Sequence, residues 1–193
     1  MIYAPAEDSQ LLLECVKKYK GNRALEIGVG SCIITEALLK QFSLVAGSDI
    51  DVESLRFCKQ RGLDAHLACC DAASAFRGEF DLIVSNPPYL PSQINRDKNL
   101  ETSPVARSAR PDIAVEGGLK GIELTLHFIK SALPLLKQDG AILIVVSSHA
   151  DLSALASELH GLDLSSKIVV EKKLFFEEIA VLEIRPGRKP APP

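Results

Sequence analysis

Tryptophan is absent from this chain of 193 residues, and phenylalanine, tyrosine and tryptophan together account for only 5% of it. The core must therefore consist mainly of aliphatic side chains, and a hydrophobic share of 47% is enough to build one. A chain of this length buries such a core without disulfides or metal ions. We expect one domain from residue 1 to residue 185, followed by a proline-rich, disordered tail at residues 186–193.

The sequence also has no excess of positive charge, since its formal net charge is -3 and its pI is about 5.8. Proteins that hold long nucleic acids by bulk charge need clustered lysine and arginine, so the composition disfavours this class, although it allows a local basic patch. No apolar run approaches the ~20 residues of a membrane span, and no signal peptide follows Met1. We expect a protein of the cytoplasm with no membrane partner.

Cysteines are present, but no two of them have the C-x-x-C spacing of metal and redox sites. Their odd number and the expected reducing compartment predict free thiols that serve as small apolar side chains. The four histidines have no ligand spacing either, so no metal site is predicted and no role is assigned to them. The cysteines are Cys15, Cys32, Cys58, Cys69 and Cys70.

Strand and helix patterns alternate along the chain. Strands are predicted in RALEIG, LVAGSD, DAHLACC, FDLIVSN and AILIVVSS, with a closing antiparallel pair in LSSKIVVEKKLFFEEIAVLEIRP. The first helix is predicted in AEDSQLLLECVKKY, with Asp8 or Ser9 as its N-cap. A later one, in GIELTLHFIKSALPLLKQDG, is expected to be interrupted near Pro134 and to end at Gly140. This order predicts an α/β fold of three layers, with a mostly parallel, seven-stranded, Rossmann-like sheet and a C-terminal antiparallel strand.

Polar residues follow the predicted strands beyond their carboxyl ends, where ligands collect in open α/β sheets. A glycine-rich turn after the first strand is typical of dinucleotide sites and of S-adenosylmethionine sites. The glycines could also simply form a tight turn, and an aspartate after the second strand could simply cap a helix. In strand order, the residues are Glu26, Gly28 and Gly30; Asp49 and Ile50; Asp71 and Ala72; and Asn86.

The turn GVGSCI lacks the third glycine of the dinucleotide pattern G-x-G-x-x-G, since Ile33 occupies that position. Glu26 would also repel a pyrophosphate, whereas it suits a ligand with positive charge, such as the ammonium or sulfonium of S-adenosylmethionine. Asp49 suits the hydroxyls of a ribose, and Asp71 suits the exocyclic amine of adenine. Together these residues favour S-adenosylmethionine as the cofactor.

The tetrapeptide NPPY, from Asn86 to Tyr89, directly follows the fourth strand. The Asn86 side-chain oxygen and the Pro87 main-chain carbonyl supply two acceptors for the two N–H groups of a planar NH2. Pro87 and Pro88 restrict the backbone and hold that carbonyl in place, while Tyr89 offers a flat face to the planar group. The motif predicts N-methylation of an amide or an exocyclic amine, driven by orientation and electrostatics; a plain strand-ending turn is the alternative.

These motifs resemble those of the class I S-adenosylmethionine-dependent methyltransferases, and within them the HemK-type glutamine methyltransferases. LEIGVGS resembles their cofactor bend, NPPYLP their catalytic signature, and DIAVEGGLKGIEL the segment that follows it. The opening YAPAEDSQLLL is similar to the start of the shorter archaeal and eukaryotic branch, which lacks the N-terminal helical domain of the bacterial enzymes. The resemblance extends from Tyr3 to Ile184, and we expect the shorter architecture.

The resemblance implies a role for each candidate site residue. Asn86, Pro87 and Tyr89 are expected to be catalytic and, with Pro88, to bind the substrate. Ser9 is expected to close over the methionine part of the cofactor, with Glu7 and Asp8 as further candidates. The remaining cofactor contacts are expected from Glu26, Gly28, Gly30, Asp49, Ile50, Asp71, Ala72 and Asn86.

The resemblance also implies the substrate, which is the glutamine in the Gly-Gly-Gln motif of a peptide release factor. Adenine in DNA or RNA is the alternative, because NPPY alone is shared with adenine methyltransferases, which must flip or unpair their base. Lysine fits less well, since an ammonium must first lose a proton, and a subunit that only binds cofactor would not need NPPY. A small zinc-binding activator protein is implied as a partner for the apolar edge AHLACC. The polar segment from Pro91 to Lys120 is predicted to form a lid over the substrate.

Overall fold

The computed structural model describes residues 6–89 and 120–187. Five α-helices lie in this part of the chain: α1 (Glu7–Val16), α2 (Ile33–Leu38), α3 (Val52–Gln60), α4 (Glu123–Ala132) and α5 (Leu152–Gly161). Seven strands lie there as well: β1 (Gly21–Ile27), β2 (Phe42–Asp49), β3 (His66–Cys69), β4 (Phe80–Ser85), β5 (Leu136–Ser147), β6 (Leu164–Lys173) and β7 (Glu178–Pro186).

The seven strands form one sheet in the order β3-β2-β1-β4-β5-β7-β6. Strands β1 to β5 pair in parallel, whereas β7 is antiparallel to both of its neighbours, β5 and β6. Only residues 174–177 join β6 to β7, which is too short a connection for a parallel crossover. The predicted fold class, including the single antiparallel strand near the C-terminus, is confirmed.

Helices cover both faces of the sheet, so the core has two layers of aliphatic side chains. Successive strand residues point to opposite faces, and Ala24 therefore packs with α1 and α2 while Leu25 packs with α4 and α5. On β4, Leu82 packs on the same face as Ala24, and Ile83 packs on the same face as Leu25. A third, smaller cluster joins α3 to the turn that follows β1. The carboxyl ends of the parallel strands are left at one edge between these layers.

The prediction of a helix across residues 121–140 is wrong for the second half of that range. Helix α4 ends at Ala132, a 3₁₀ turn spans Leu133–Leu135, and Leu136 already belongs to β5. Pro134 has no N–H to continue an α-helix. Gly140 does not end a helix but lies in the strand, where a Cβ would come within 3.1 Å of the Phe80 carbonyl oxygen.

The predicted N-cap of α1 is also wrong. The residue at the N-cap position is Ala6, which makes no side-chain capping hydrogen bond. Asp8 and Ser9 lie inside the helix and are each only 5% exposed. Their side chains turn away from the helix end toward the segment after β4, which gives them a role at the candidate site.

The prediction of five free thiols is wrong for one pair, because Cys32 and Cys58 form a disulfide. Helix α3 packs against the turn after β1 and brings the two sulfurs together in the small cluster that also contains Val29 and Leu55. The remaining cysteines are free, and Cys15 is buried in the core as expected.

Two predictions fall on segments that the structure does not describe. The expected lid lies outside the described residues except for Lys120, and residues 188–193 of the expected tail lie outside them too, whereas Pro186 still belongs to β7. Among the helices of the described residues, none combines the length and the apolar character that crossing a bilayer requires.

Candidate active site

The carboxyl ends of β1, β2 and β4 are aligned by their pairing, because Ile27 lies opposite both Ser48 and Ser85. The carboxyl end of β3 is aligned with that of β2, since Asp49 of β2 lies opposite Cys69 of β3. The polar residues that follow each strand therefore share one edge of the sheet. The structure brings together there the residues predicted after β1, β2, β3 and β4.

The glycine turn after β1 is held in place by backbone hydrogen bonds. The N–H groups of Gly28 and Val29 donate to the Ser48 carbonyl oxygen at 2.8 and 3.0 Å. Gly28 and Gly30 have φ angles of +80° and +42°, a region that favours glycine. A Cβ on either glycine would meet no atom of the described residues within 4 Å. The backbone conformation, and not crowding, favours glycine here, and the described residues leave the space beside the turn open to a ligand.

Glu26 is the only acid within β1, and it lies under this turn, 4% exposed. The Thr35 hydroxyl of α2 donates a hydrogen bond to its carboxylate. Burial is the main cause that raises the pKa of Glu26, to about 8, because the charged form loses its water; the nearby Asp49 carboxylate adds to the increase, and the Thr35 hydrogen bonds oppose it. A cationic group placed beside Glu26 would favour its ionised form.

This raised pKa predicts how the stability of the cofactor-free protein depends on pH. From about pH 5 to about pH 8 the folded protein keeps the Glu26 proton while the unfolded chain has lost it, so the free energy of unfolding should fall by up to about 1.4 kcal/mol per pH unit. Glu26→Gln should lack this contribution. Urea unfolding across this range measures the difference, with Glu53→Gln on the exposed face of α3 as the control that keeps the wild-type slope. Equal slopes for wild type and Glu26→Gln would contradict the assigned pKa.

Asp49 lies at the end of β2 and organises the backbone around it. One of its oxygens accepts the Gly30 N–H at 3.0 Å, and the other accepts the Asp51 N–H at 2.9 Å. Each carboxylate oxygen has a second lone pair, so Asp49 can still accept hydrogen bonds from ligand hydroxyls. The next residue, Ile50, is 64% exposed, and its apolar side chain lies free at the same edge.

Asp71 follows β3 and pairs with a residue to which the sequence assigned no role. Its Oδ1 lies 2.8 Å from Nε2 of His127 on α4. The two residues are 56 positions apart and have no ligand spacing, so no local pattern could have paired them. Ala72, the neighbour of Asp71, is buried and has a φ of +45°. His127 therefore orients the carboxylate that we expected to meet an adenine amine.

The NPPY segment after β4 is held by the start of α1. The Asn86 side-chain nitrogen lies 3.4 Å from the Ser9 hydroxyl oxygen, and the Tyr89 hydroxyl donates to Asp8 at 3.1 Å. The Asn86 Oδ1 atom is buried and has no hydrogen-bond partner among the described residues. Pro87 is buried, while Pro88 and Tyr89 are half-buried. The contact to Ser9 turns the amide so that its oxygen remains available as an acceptor.

Comparison with known proteins places this chain in a family. The methyltransferase small domain family matches residues 6–120 of the chain. A protein of Methanocaldococcus jannaschii assigned as a protein N5-glutamine methyltransferase is 30% identical over 186 residues, 94% of this chain and 90% of that protein. The release factor glutamine methyltransferase of Rhodospirillum rubrum is 33% identical over 202 residues, 98% of this chain but 60% of that enzyme.

A solved structure shares the fold of this chain. The E. cuniculi Mtq2–Trm112 complex, responsible for methylation of the translation termination factor eRF1, superposes with a TM-score of 0.74 and 20% identity. The match covers 96% of this chain and 99% of the other. The likeness in fold extends over all the layers described above. The chain belongs to the methyltransferase small domain family and, within it, to the HemK-type glutamine methyltransferases.

Proposed function

We propose that this protein is an S-adenosylmethionine-dependent methyltransferase that methylates the side-chain amide nitrogen of the glutamine in the Gly-Gly-Gln motif of a peptide release factor. The proposal rests on Asn86 Oδ1, which is buried and has no hydrogen-bond partner among the described residues. A buried acceptor without a donor is costly, and such a group in a native fold calls for an explanation. An incoming amide N–H would satisfy it at the edge where the cofactor residues also lie.

The residues at this edge fit S-adenosylmethionine. The space beside Gly28 and Gly30 is open, and the buried Glu26 carboxylate lies next to it without a cationic partner in the described part of the chain. Asp49 can accept from the ribose hydroxyls, and the exposed Ile50 and the oriented Asp71 suit the adenine ring and its amine. We propose these residues, with Ser9, Ala72 and Asn86, as the cofactor site.

The cofactor supplies an electrophilic methyl group on its sulfonium. Asn86 Oδ1 and the Pro87 carbonyl oxygen would accept the two N–H groups of the substrate amide and aim its nitrogen at that methyl group. The nitrogen would gain positive charge as the N–C bond forms and the bond between the methyl group and the sulfonium breaks, which leaves the neutral thioether S-adenosylhomocysteine. Both oxygens would stabilise this charge more strongly in the transition state than in the ground state, and the methylated amide then loses one N–H proton to water. Tyr89, fixed through its hydroxyl by Asp8, would support the amide plane.

The choice of glutamine follows from the relatives. The Rhodospirillum rubrum enzyme is a release factor glutamine methyltransferase, and the E. cuniculi complex methylates eRF1. The net charge of -3 does not favour a nucleic acid substrate. Because release factors act in translation, we also propose that this protein works in the cytoplasm, a reducing compartment in which the Cys32–Cys58 disulfide would be open to reduction. We propose that residues 1–185 form its single catalytic domain.

We further propose a small zinc-binding activator subunit as a partner, by analogy with the two-protein E. cuniculi complex. Strand β3 lies at one edge of the sheet, is only four residues long, and exposes His66 and Cys69. A sheet edge of this kind presents unpaired backbone groups that a second protein can cover.

The experiment that tests the function uses S-adenosylmethionine labelled in its methyl group. Transfer is expected to a release factor and not to its Gln→Ala variant in the Gly-Gly-Gln motif, because only the amide nitrogen matches the acceptor pair. The assay is run with and without a Trm112-type subunit, and with unmethylated DNA as the competing substrate. Mass spectrometry of the labelled peptide locates the methyl group.

Two results would contradict the proposal. Label on DNA with none on the release factor would make adenine the substrate. Equal label on the release factor and on its Gln→Ala variant would place the methyl group on another residue, such as a lysine. Label found only when the activator subunit is present would support both the substrate and the partner.

A further inference from the structure

A hydroxyl that the sequence analysis did not single out lies against the proposed cofactor acid. Thr35 is 0% exposed and Glu26 is 4% exposed, and the Thr35 hydroxyl donates to the Glu26 carboxylate. Thr35 belongs to α2, which begins three residues after Gly30. The same short stretch of chain therefore forms the glycine turn and supplies the donor to the acid beneath it.

We propose that Thr35 is a positioning residue for the cofactor: its buried hydroxyl holds the Glu26 carboxylate in the orientation and the ionised state that the ammonium of S-adenosylmethionine requires. The inference rests on the proposed function, since it takes Glu26 as the acid that meets this ammonium. Thr35 itself does not need to touch the cofactor.

The surroundings of Glu26 show why a donor is needed. The charged group that acts on Glu26 is Asp49 on β2, which is also negative and disfavours a second charge. On the other side of β1, the Ser85 hydroxyl of β4 donates to the Ile27 carbonyl oxygen at 2.9 Å. In the part of the chain that the structure describes, only Thr35, through its hydroxyl and its backbone N–H, hydrogen-bonds to the Glu26 carboxylate.

A neutral donor suits this position better than a cation. A lysine or arginine beside Glu26 would neutralise the carboxylate and compete with the ammonium for it. A hydroxyl stabilises the charge by a hydrogen bond and leaves the full negative charge for the ligand. Thr35 thus lowers the free-energy cost of ionising the buried Glu26, and it does not form an ion pair with the carboxylate.

The test replaces Thr35 by valine, which keeps the shape of the side chain and removes the hydroxyl. Titration calorimetry with S-adenosylmethionine from pH 6 to pH 9 is expected to show affinity about tenfold weaker at pH 7. The pH above which affinity levels off should rise by about one unit. Thr35→Ser keeps the donor and should restore the wild-type profile. The titration of the ligand's own ammonium affects all variants equally, so it cancels when the affinity of a variant is divided by that of the wild type at the same pH.

Two controls separate positioning from a general loss of structure. Thr125 on α4 is also 0% exposed, and its hydroxyl has no partner among the described residues. Thr125→Val should therefore keep the wild-type affinity and pH profile. The second control is 5′-methylthioadenosine, which lacks the ammonium and should bind Thr35→Val and wild type equally.

The outcomes distinguish this inference from the proposed function. A Thr35→Val protein with wild-type affinity and an unchanged pH profile would overturn the role of Thr35. An equal loss for 5′-methylthioadenosine, or an equal loss in Thr125→Val, would also overturn it, because the effect would then be general. Wild-type protein that binds no S-adenosylmethionine at any pH would instead refute the proposed function.

Discussion

Asn86→Ala is expected to lower the turnover number by about 10² to 10³-fold at saturating cofactor and substrate. The variant loses the acceptor that stabilises positive charge on the amide nitrogen, which is a contact needed mainly in the transition state. Affinity for S-adenosylmethionine should fall only slightly, because Asn86 is one of several proposed cofactor contacts and both Glu26 and Asp49 are intact. Single-turnover methyl transfer and calorimetry measure the two quantities separately.

The matched control for this variant is Asn22→Ala. Asn22 is exposed and lies in β1 next to its first residue, at the opposite end of the sheet from the candidate site. It should retain wild-type turnover and affinity. If Asn86→Ala were as active as Asn22→Ala, the acceptor role of Asn86 would be wrong. A large loss of cofactor affinity in Asn86→Ala with wild-type turnover would leave Asn86 as a cofactor contact only.

Asp49→Ala is expected to have the second largest effect, on binding and not on the chemical step. The alanine removes the acceptor of the Gly30 and Asp51 N–H groups as well as the proposed ribose contact. Hydrogen bonds to a charged group contribute about 1.5–3 kcal/mol each, so affinity for S-adenosylmethionine should fall by about 100-fold. Turnover at saturating cofactor should change little.

Equilibrium binding and the KM for the cofactor test this expectation. Asp64→Ala is the matched control, because Asp64 is exposed and precedes β3 at its far end. Circular dichroism of both variants shows whether the fold is retained. A folded Asp49→Ala protein with wild-type affinity would exclude Asp49 from the cofactor site.

The architecture was predictable because its strands are short aliphatic runs that alternate with helical patterns. The helix prediction failed at residues 136–140 for a physical reason. LKQDG has no periodicity that separates helix from strand, and its strand state depends on pairing with Phe80, which lies far earlier in the chain. The requirement for glycine at position 140 likewise comes from the Phe80 backbone, which no local pattern contains.

The candidate site was predictable where its residues form contiguous motifs, as in the glycine turn and NPPY. The residues that hold these motifs in place could not be predicted from the sequence. His127 meets Asp71 and Tyr89 meets Asp8 only because α4 and α1 pack across the sheet edge. The disulfide between Cys32 and Cys58 depends in the same way on the packing of α3. Such contacts are set by tertiary structure, and one sequence alone does not reveal them.

The disulfide has a consequence for how the protein opens. It closes a covalent ring between residues 26 positions apart, and this ring contains the whole of β2 together with Asp49. In the chain-entropy view, such a ring removes freedom from the unfolded chain worth about 3.5 kcal/mol at 25 °C. The glycine turn, β2 and α3 are thereby tied into one cooperative unit, so amide hydrogens there should exchange through a shared opening of that unit and not by fraying of a separate loop.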